Sequence, residues 1–172
     1  MGTNSIRYFL WAFLLILLQA LIYIQINLWT HGIVIISAFI ISTYPTHWGR
    51  NAVLFMGFFV GVLFDAIYMS GGLHTIASLS VGYFAPFLRQ YVFDVDALDF
   101  QEKWCFVGFN QIRNTIYFGG LSFFYLIIYF SLLFFSLKHI FLISLSSFLS
   151  AFLTTLFIFP IYNFLRKRLI RR

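Results

Sequence analysis

Residues 52–69 read AVLFMGFFVGVLFDAIYM. As a helix rising 1.5 Å per residue this stretch is about 27 Å long, close to the roughly 30 Å hydrocarbon core of a bilayer. It holds one charged side chain, Asp65. Gly57, Gly61 and Asp65 follow at intervals of four, so a helix puts all three on one face. Small residues at that spacing allow a second helix to approach closely. A carboxylate in hydrocarbon costs several kcal/mol unless it is paired, protonated or wet, so Asp65 should face protein. The segment therefore reads as a membrane-spanning helix with a packing groove that ends in a polar group.

The rest of the chain agrees with that reading. Of 172 residues, 62% are hydrophobic and 9% charged, and Phe alone occurs 25 times. Soluble domains have roughly 45–50% apolar and 25% charged residues. A polar shell cannot be built from this composition. A soluble enzyme, a secreted domain, a disordered chain and a soluble nucleic-acid binder are all disfavoured, and no nucleic-acid partner is expected. Cys105 is the single cysteine, which removes any intrachain disulfide or multi-cysteine metal site.

Six stretches qualify as spans, at about 8–26, 28–44, 52–69, 73–88, 115–137 and 140–165. The first is too long for a signal-peptide core and no small-x-small cleavage site follows, so it reads as a retained span. With the N-terminus cytoplasmic, the inner positions hold Arg7, Arg50, Arg89, Lys103, Arg113, Arg166, Lys167, Arg168, Arg171 and Arg172, and the outer ones hold only Lys138. This positive-inside bias supports six helices with both termini inside. The expected fold class is all-α, a polytopic membrane helical bundle, with residues 1–172 forming one integral membrane domain. Pro45, Pro86 and Pro160 fall near the expected span ends, where a lost helical hydrogen bond costs least. The one long loop, from Arg89 to about Asn114, reads either as an amphipathic interfacial helix or as an extension of the fifth span.

Asp65 lies 14 residues beyond Asn51, roughly 21 Å along the axis, in the outer half of the membrane. Gln25, Asn27, His74 and Lys138 are candidate partners at that depth. A polar clamp between helices is favoured over a proton relay, which would need a second ionisable group at mid-membrane. In that case Asn at position 65 should preserve the clamp in part. His31, His47, His74 and His139 lack metal-ligand spacing and read as interfacial, so no metal is expected. Gln19 and Gln25 read as interhelical hydrogen-bonding residues, Gly71-Gly72 as a tight turn, and the aromatic run from Phe123 to Phe135 as lipid-facing bulk or packing. The tail of Arg166, Lys167, Arg168, Arg171 and Arg172 reads as an anchor for anionic lipid or an acidic partner. No catalytic or cofactor motif is present, so no enzyme activity and no cofactor are expected.

These residues resemble the MreD family, the integral membrane subunit of the bacterial rod-shape (elongation) machinery. The features shared are six spans with little outside them, Gly57-x-x-x-Gly61-x-x-x-Asp65 in the third span, and the turn Gly71-Gly72-Leu73. A small-residue helix then reaches Tyr83, and Phe159-Pro160-Ile161-Tyr162 runs into Arg166-Lys167-Arg168. His74 departs from the pattern, as does the acidic stretch Asp94 to Lys103. The resemblance implies a non-enzymatic inner-membrane protein that helps organise peptidoglycan synthesis. Its partners would be MreC, RodA, a class B penicillin-binding transpeptidase and, directly or indirectly, the MreB filament. It also implies a helix arrangement like the substrate-binding subunits of energy-coupling-factor transporters. On this basis the Gly57, Gly61 and Asp65 face would receive either another helix of the chain or an MreC-like span. The alternatives are a small-molecule-binding subunit of such a transporter, and a membrane enzyme using Asp65 with His74.

Overall fold

The computed structural model describes residues 10–19, 35–45, 48–93, 111–134 and 140–170. Six α-helices make up the regular structure of these residues: α1 (Leu10–Gln19), α2 (Ser37–Ser42), α3 (Arg50–Tyr68), α4 (Leu73–Val92), α5 (Gln111–Phe134) and α6 (Ile140–Ile170). Three are long and apolar enough to cross a membrane: α3, α5 and the part of α6 from Ile143 to Pro160.

Helix α4 is as long as α3 but more polar, and it sits at the centre, packed on α2, α3 and α5. Its polar side chains His74, Ser78 and Arg89 are buried, as are Gln19 on α1 and Ser122 on α5. By contrast, Phe55 and Phe59 on α3, Phe148 and Phe152 on α6 and Phe13 on α1 face outward. Polar groups inside and phenylalanine outside suit a hydrocarbon surround, because every buried polar group must then find its partner within the protein.

Several helices differ in extent from the expected spans. Helix α4 runs to Val92 and α6 to Ile170, so Pro86 and Pro160 lie inside helices, with Pro160 the last residue of the apolar span of α6. Each proline removes one backbone hydrogen bond, while α4 stays packed on both sides of Pro86 through Gly82, Ala85 and Arg89. Helix α5 starts four residues before Thr115 and is described to Phe134. Within the second expected span the described helix is α2 alone, six residues long and buried throughout, between Ile36 and Thr43. Residues 28–34 and the loop 94–110 lie outside the described residues.

Helix α2 begins without a local cap: its N-cap residue is Ile36. Other helices supply the missing acceptors. The Ile36 N–H donates to Gln19 Oε1 of α1 at 2.8 Å, and the Ile35 N–H to Thr154 Oγ1 of α6 at 3.2 Å. Gln19 thus makes the interhelical bond expected of it. At the other end, Ser42 and Thr43 donate their hydroxyls to the carbonyls of Phe39 and Ile40, which closes the last turn.

Candidate functional site: the α3–α4 hairpin

Helices α3 and α4 run antiparallel around the turn 69–72. The contact rests on small residues at three levels. A Cβ built on Gly61 would lie 2.5 Å from Thr75 Cα and 2.9 Å from the His74 carbonyl oxygen. One on Gly57 would lie 2.8 Å from the Ser78 carbonyl oxygen. Gly82 returns the arrangement from α4, 3.1 Å from the Val53 carbonyl oxygen. Each step of four along α3 meets a step of about four back along α4, so the glycine face of α3 is filled by α4 of the same chain.

Asp65 ends this face and joins two helix termini. Its main-chain carbonyl accepts the N–H groups of Met69 and Ser70, which terminates α3. Its carboxylate starts α4. The N-cap of α4 is Gly72, which has no side chain to accept the exposed N–H groups of the first turn. Asp65 replaces it: Oδ1 accepts the His74 N–H at 3.0 Å and Oδ2 the Thr75 N–H at 2.8 Å. The Ser70 hydroxyl donates to Oδ1 and the Thr75 hydroxyl to Oδ2. A negative charge at a helix N-terminus also complements the helix dipole. The intervening turn needs positive φ at Gly71 (64°) and Gly72 (99°), a region open to glycine at little cost.

All four groups that meet the carboxylate are donors, and two are backbone amides that cannot reverse. Asn at position 65 would turn an NH₂ toward one of those amides. Asn would keep the shape and one accepting oxygen, so it would hold part of the clamp and set donor against donor at the other amide.

Of the sequence-derived partners, His74 meets Asp65 through its backbone. Its ring turns the other way and is buried: Nδ1 lies 2.7 Å from the Tyr125 hydroxyl of α5. The ring centroids of Tyr129, Tyr68 and Phe64 lie 4.8, 5.1 and 6.1 Å from that of His74. Tyr125, fully buried, also has the hydroxyls of Ser37 and Ser78 beside it. His74 is thus a core residue linking α3, α4 and α5, at the outset of α4. The Tyr125 and Tyr129 part of the aromatic run is core as well. Gln25, Asn27 and Lys138 lie outside the described residues. Sequence reasoning missed Ser70 and Thr75. The signal was available: a helix starting after Gly-Gly lacks its own cap, and an Asp six residues before that Gly-Gly, in the last turn of the preceding helix, is within reach.

At the opposite end of α4, Arg89 is buried with its guanidinium 5.2 Å from the Tyr44 ring. Arg50, at the start of α3, is exposed, 4.2 Å above the Tyr83 ring and 4.7 Å from that of Phe87. Arg166, Lys167 and Arg168 lie in the C-terminal part of α6. Arg171 and Arg172 lie outside the described residues. Among the described residues no cluster of His, Cys, Asp or Glu could hold a metal ion. Compared with known proteins, the chain matches no family model, no curated protein and no solved structure.

Proposed function

We propose that this chain is a non-catalytic inner-membrane subunit of the bacterial elongation machinery, an MreD-like protein that works through helix–helix contacts. One observation carries the non-catalytic part: the only carboxylate among the described residues is spent on capping α4. Its histidine neighbour is engaged with Tyr125. The Asp65 carboxylate has four donor partners, two of them backbone amides, and no cluster of His, Cys, Asp or Glu gathers around it among the described residues, which suits a structural acceptor. The MreD-like assignment is supported by the ordered motif from Gly57 to Asp65, the Gly71-Gly72 turn and the basic end of the last helix.

On this reading six spans cross the inner membrane with both termini cytoplasmic, in a bundle like the substrate-binding subunits of energy-coupling-factor transporters. The MreC-like span docks on a surface other than the glycine face of α3, because α4 already occupies that face. Exposed apolar surface remains on α3 at Phe55, Phe58 and Phe59. More lies in a groove of about 640 Å³ between α5 and α6, floored by Gly119 and Gly120 and walled by Phe123, Phe148 and Phe152.

A second reading has one observation in its favour. Polar side chains from four helices, Gln19, Ser37, His74, Ser78 and Tyr125, gather in the core, as a ligand-binding subunit of a transporter would require. Cross-linking in native membranes followed by purification of the full chain separates the two. Recovery of an MreC-like single-span protein and a RodA-like polytopic glycosyltransferase is the expected result. Recovery of an ATPase module, together with a rise in melting temperature on adding a vitamin-like compound, would replace the proposal with the transporter reading.

A further inference from the structure

Arg50 lies outside the glycine contact and the Asp65 cap of the α3–α4 hairpin, and its surroundings are unusual for a first-turn arginine. The guanidinium lies over two rings of the neighbouring helix, Tyr83 at 4.2 Å and Phe87 at 4.7 Å, whose own centroids are 5.7 Å apart. The two rings are one helical turn apart on α4 and about half exposed, at 52% and 45%. A guanidinium lying on aromatic faces keeps its N–H edge free, and that edge matches the paired oxygens of a phosphate. The described acid, Asp65, sits at the far end of α3, fifteen residues or roughly 22 Å away, and cannot neutralise Arg50. The other four carboxylates of the chain fall between Asp94 and Glu102. Tyr83 carries a hydroxyl as a further donor, and Leu54 and Phe58, each one turn further along α3 from Arg50, continue toward mid-membrane.

We infer that Arg50, Tyr83 and Phe87 form a binding site for the headgroup phosphate of an anionic phospholipid in the inner leaflet, with its acyl chains lying along the outer face of the α3–α4 hairpin. The inference rests on the membrane placement proposed above, in which Arg50 lies at the cytoplasmic boundary. The two rings hold the guanidinium at headgroup depth and reduce the rotamer entropy it would lose on binding. The charge complements the anionic leaflet, and the rings are amphipathic anchors at the same level. This site is separate from the basic tail, which lies on another helix.

The test uses the full chain in nanodiscs of phosphatidylcholine with increasing phosphatidylglycerol, and native mass spectrometry of the lipid retained after extraction. Wild type should retain phosphatidylglycerol in preference to phosphatidylcholine. R50Q should lower that preference about fivefold, the effect of one near-surface charge. R50K should be intermediate, because a point charge replaces a planar fork, and Y83L should also be intermediate while leaving the charge in place. Inorganic phosphate at millimolar concentration should not displace the lipid. Two results would overturn the inference: equal phosphatidylglycerol retention by wild type and R50Q, which would point to the loop carboxylates as the partner of Arg50, and displacement by phosphate, which would make this an ion site. A chain that fails to enter the nanodisc refutes the membrane placement itself and is distinguishable from either. Circular dichroism on each variant confirms that it is folded.

Discussion

Replacing Gly61 by Ala tests the α3–α4 contact at its closest point. The new methyl group would lie 2.5 Å from Thr75 Cα, 2.9 Å from the His74 oxygen and 3.0 Å from the Thr75 nitrogen. Carbon atoms pack at about 3.5–4.0 Å, so α4 must withdraw by about 1 Å. All three obstacles are backbone, and no side-chain rotation relieves them. Overpacking of this kind costs about 1–3 kcal/mol. Withdrawal also stretches the 2.8 Å bond from the Thr75 N–H to Asp65, a loss of about 1 kcal/mol. Alanine returns about 1 kcal/mol of helix propensity. The net expectation is a destabilisation of about 1–3 kcal/mol. Gly119 on α5 provides the internal control. Its nearest obstacle is the Thr155 Oγ1 at 3.6 Å, an ordinary contact. Gly119→Ala should therefore keep the propensity gain and stabilise by up to about 1 kcal/mol. Thermal unfolding in mixed micelles, followed by tryptophan fluorescence, compares the two. A Gly61→Ala protein as stable as Gly119→Ala would refute the close-contact argument.

Further outcomes follow from single hydrogen bonds and one backbone angle. Asp65→Asn should lose about 1–3 kcal/mol, since an amide donor then faces a backbone N–H, whereas a melting temperature equal to wild type would contradict the donor count. Gln19→Leu removes the acceptor of the buried Ile36 N–H and should also cost about 1–3 kcal/mol in the same melt. Tyr125→Phe leaves His74 Nδ1 without its hydroxyl partner at a buried site and should destabilise by a similar amount; a neutral result would mean the ring is paired elsewhere. Met69 ends α3 with φ of 51°, a left-handed conformation that costs a side-chain-bearing residue about 1–2 kcal/mol. Met69→Gly should thus be neutral or stabilising in the melt, and a clear loss would show that the Met69 side chain contributes more than its backbone costs.

The parts of this fold that were legible in the sequence are the local ones. Intervals of four place Gly57, Gly61 and Asp65 on one face whatever packs against it. The apolar runs around 52–69, 115–137 and 140–165 contain the three helices suited to crossing a membrane. Which surface fills the glycine face was not legible, because any helix with small residues fits such a groove. Gly82, the reciprocal residue on α4, stands four residues after Ser78, but small residues at that spacing do not name the helix they meet. The Asp65 cap was hidden for a related reason. Local capping rules look at the residue before a helix, and here the acceptor stands on the preceding helix, folded back by two glycines. His74 reads as interfacial because it stands at a span end, and Tyr125, at mid-span, reads as lipid-facing bulk or packing because it belongs to an aromatic run. Only the tertiary pairing of α4 with α5 buries them together. Pro86 does not end its helix, since packing on both sides of it outweighs one missing hydrogen bond, while Pro160 closes the apolar span of α6.

The central claim is that Asp65 is a fixed acceptor for the first turn of α4. Residue-resolved amide hydrogen exchange on wild type and Asp65→Ala tests it most directly. The account predicts that the amides of His74 and Thr75 are protected in the wild type. In Asp65→Ala they should exchange about tenfold faster or more, at a cost of about 1.4 kcal/mol or above, while amides from Ala77 onward stay protected. Unchanged exchange at His74 and Thr75 in Asp65→Ala would contradict the account.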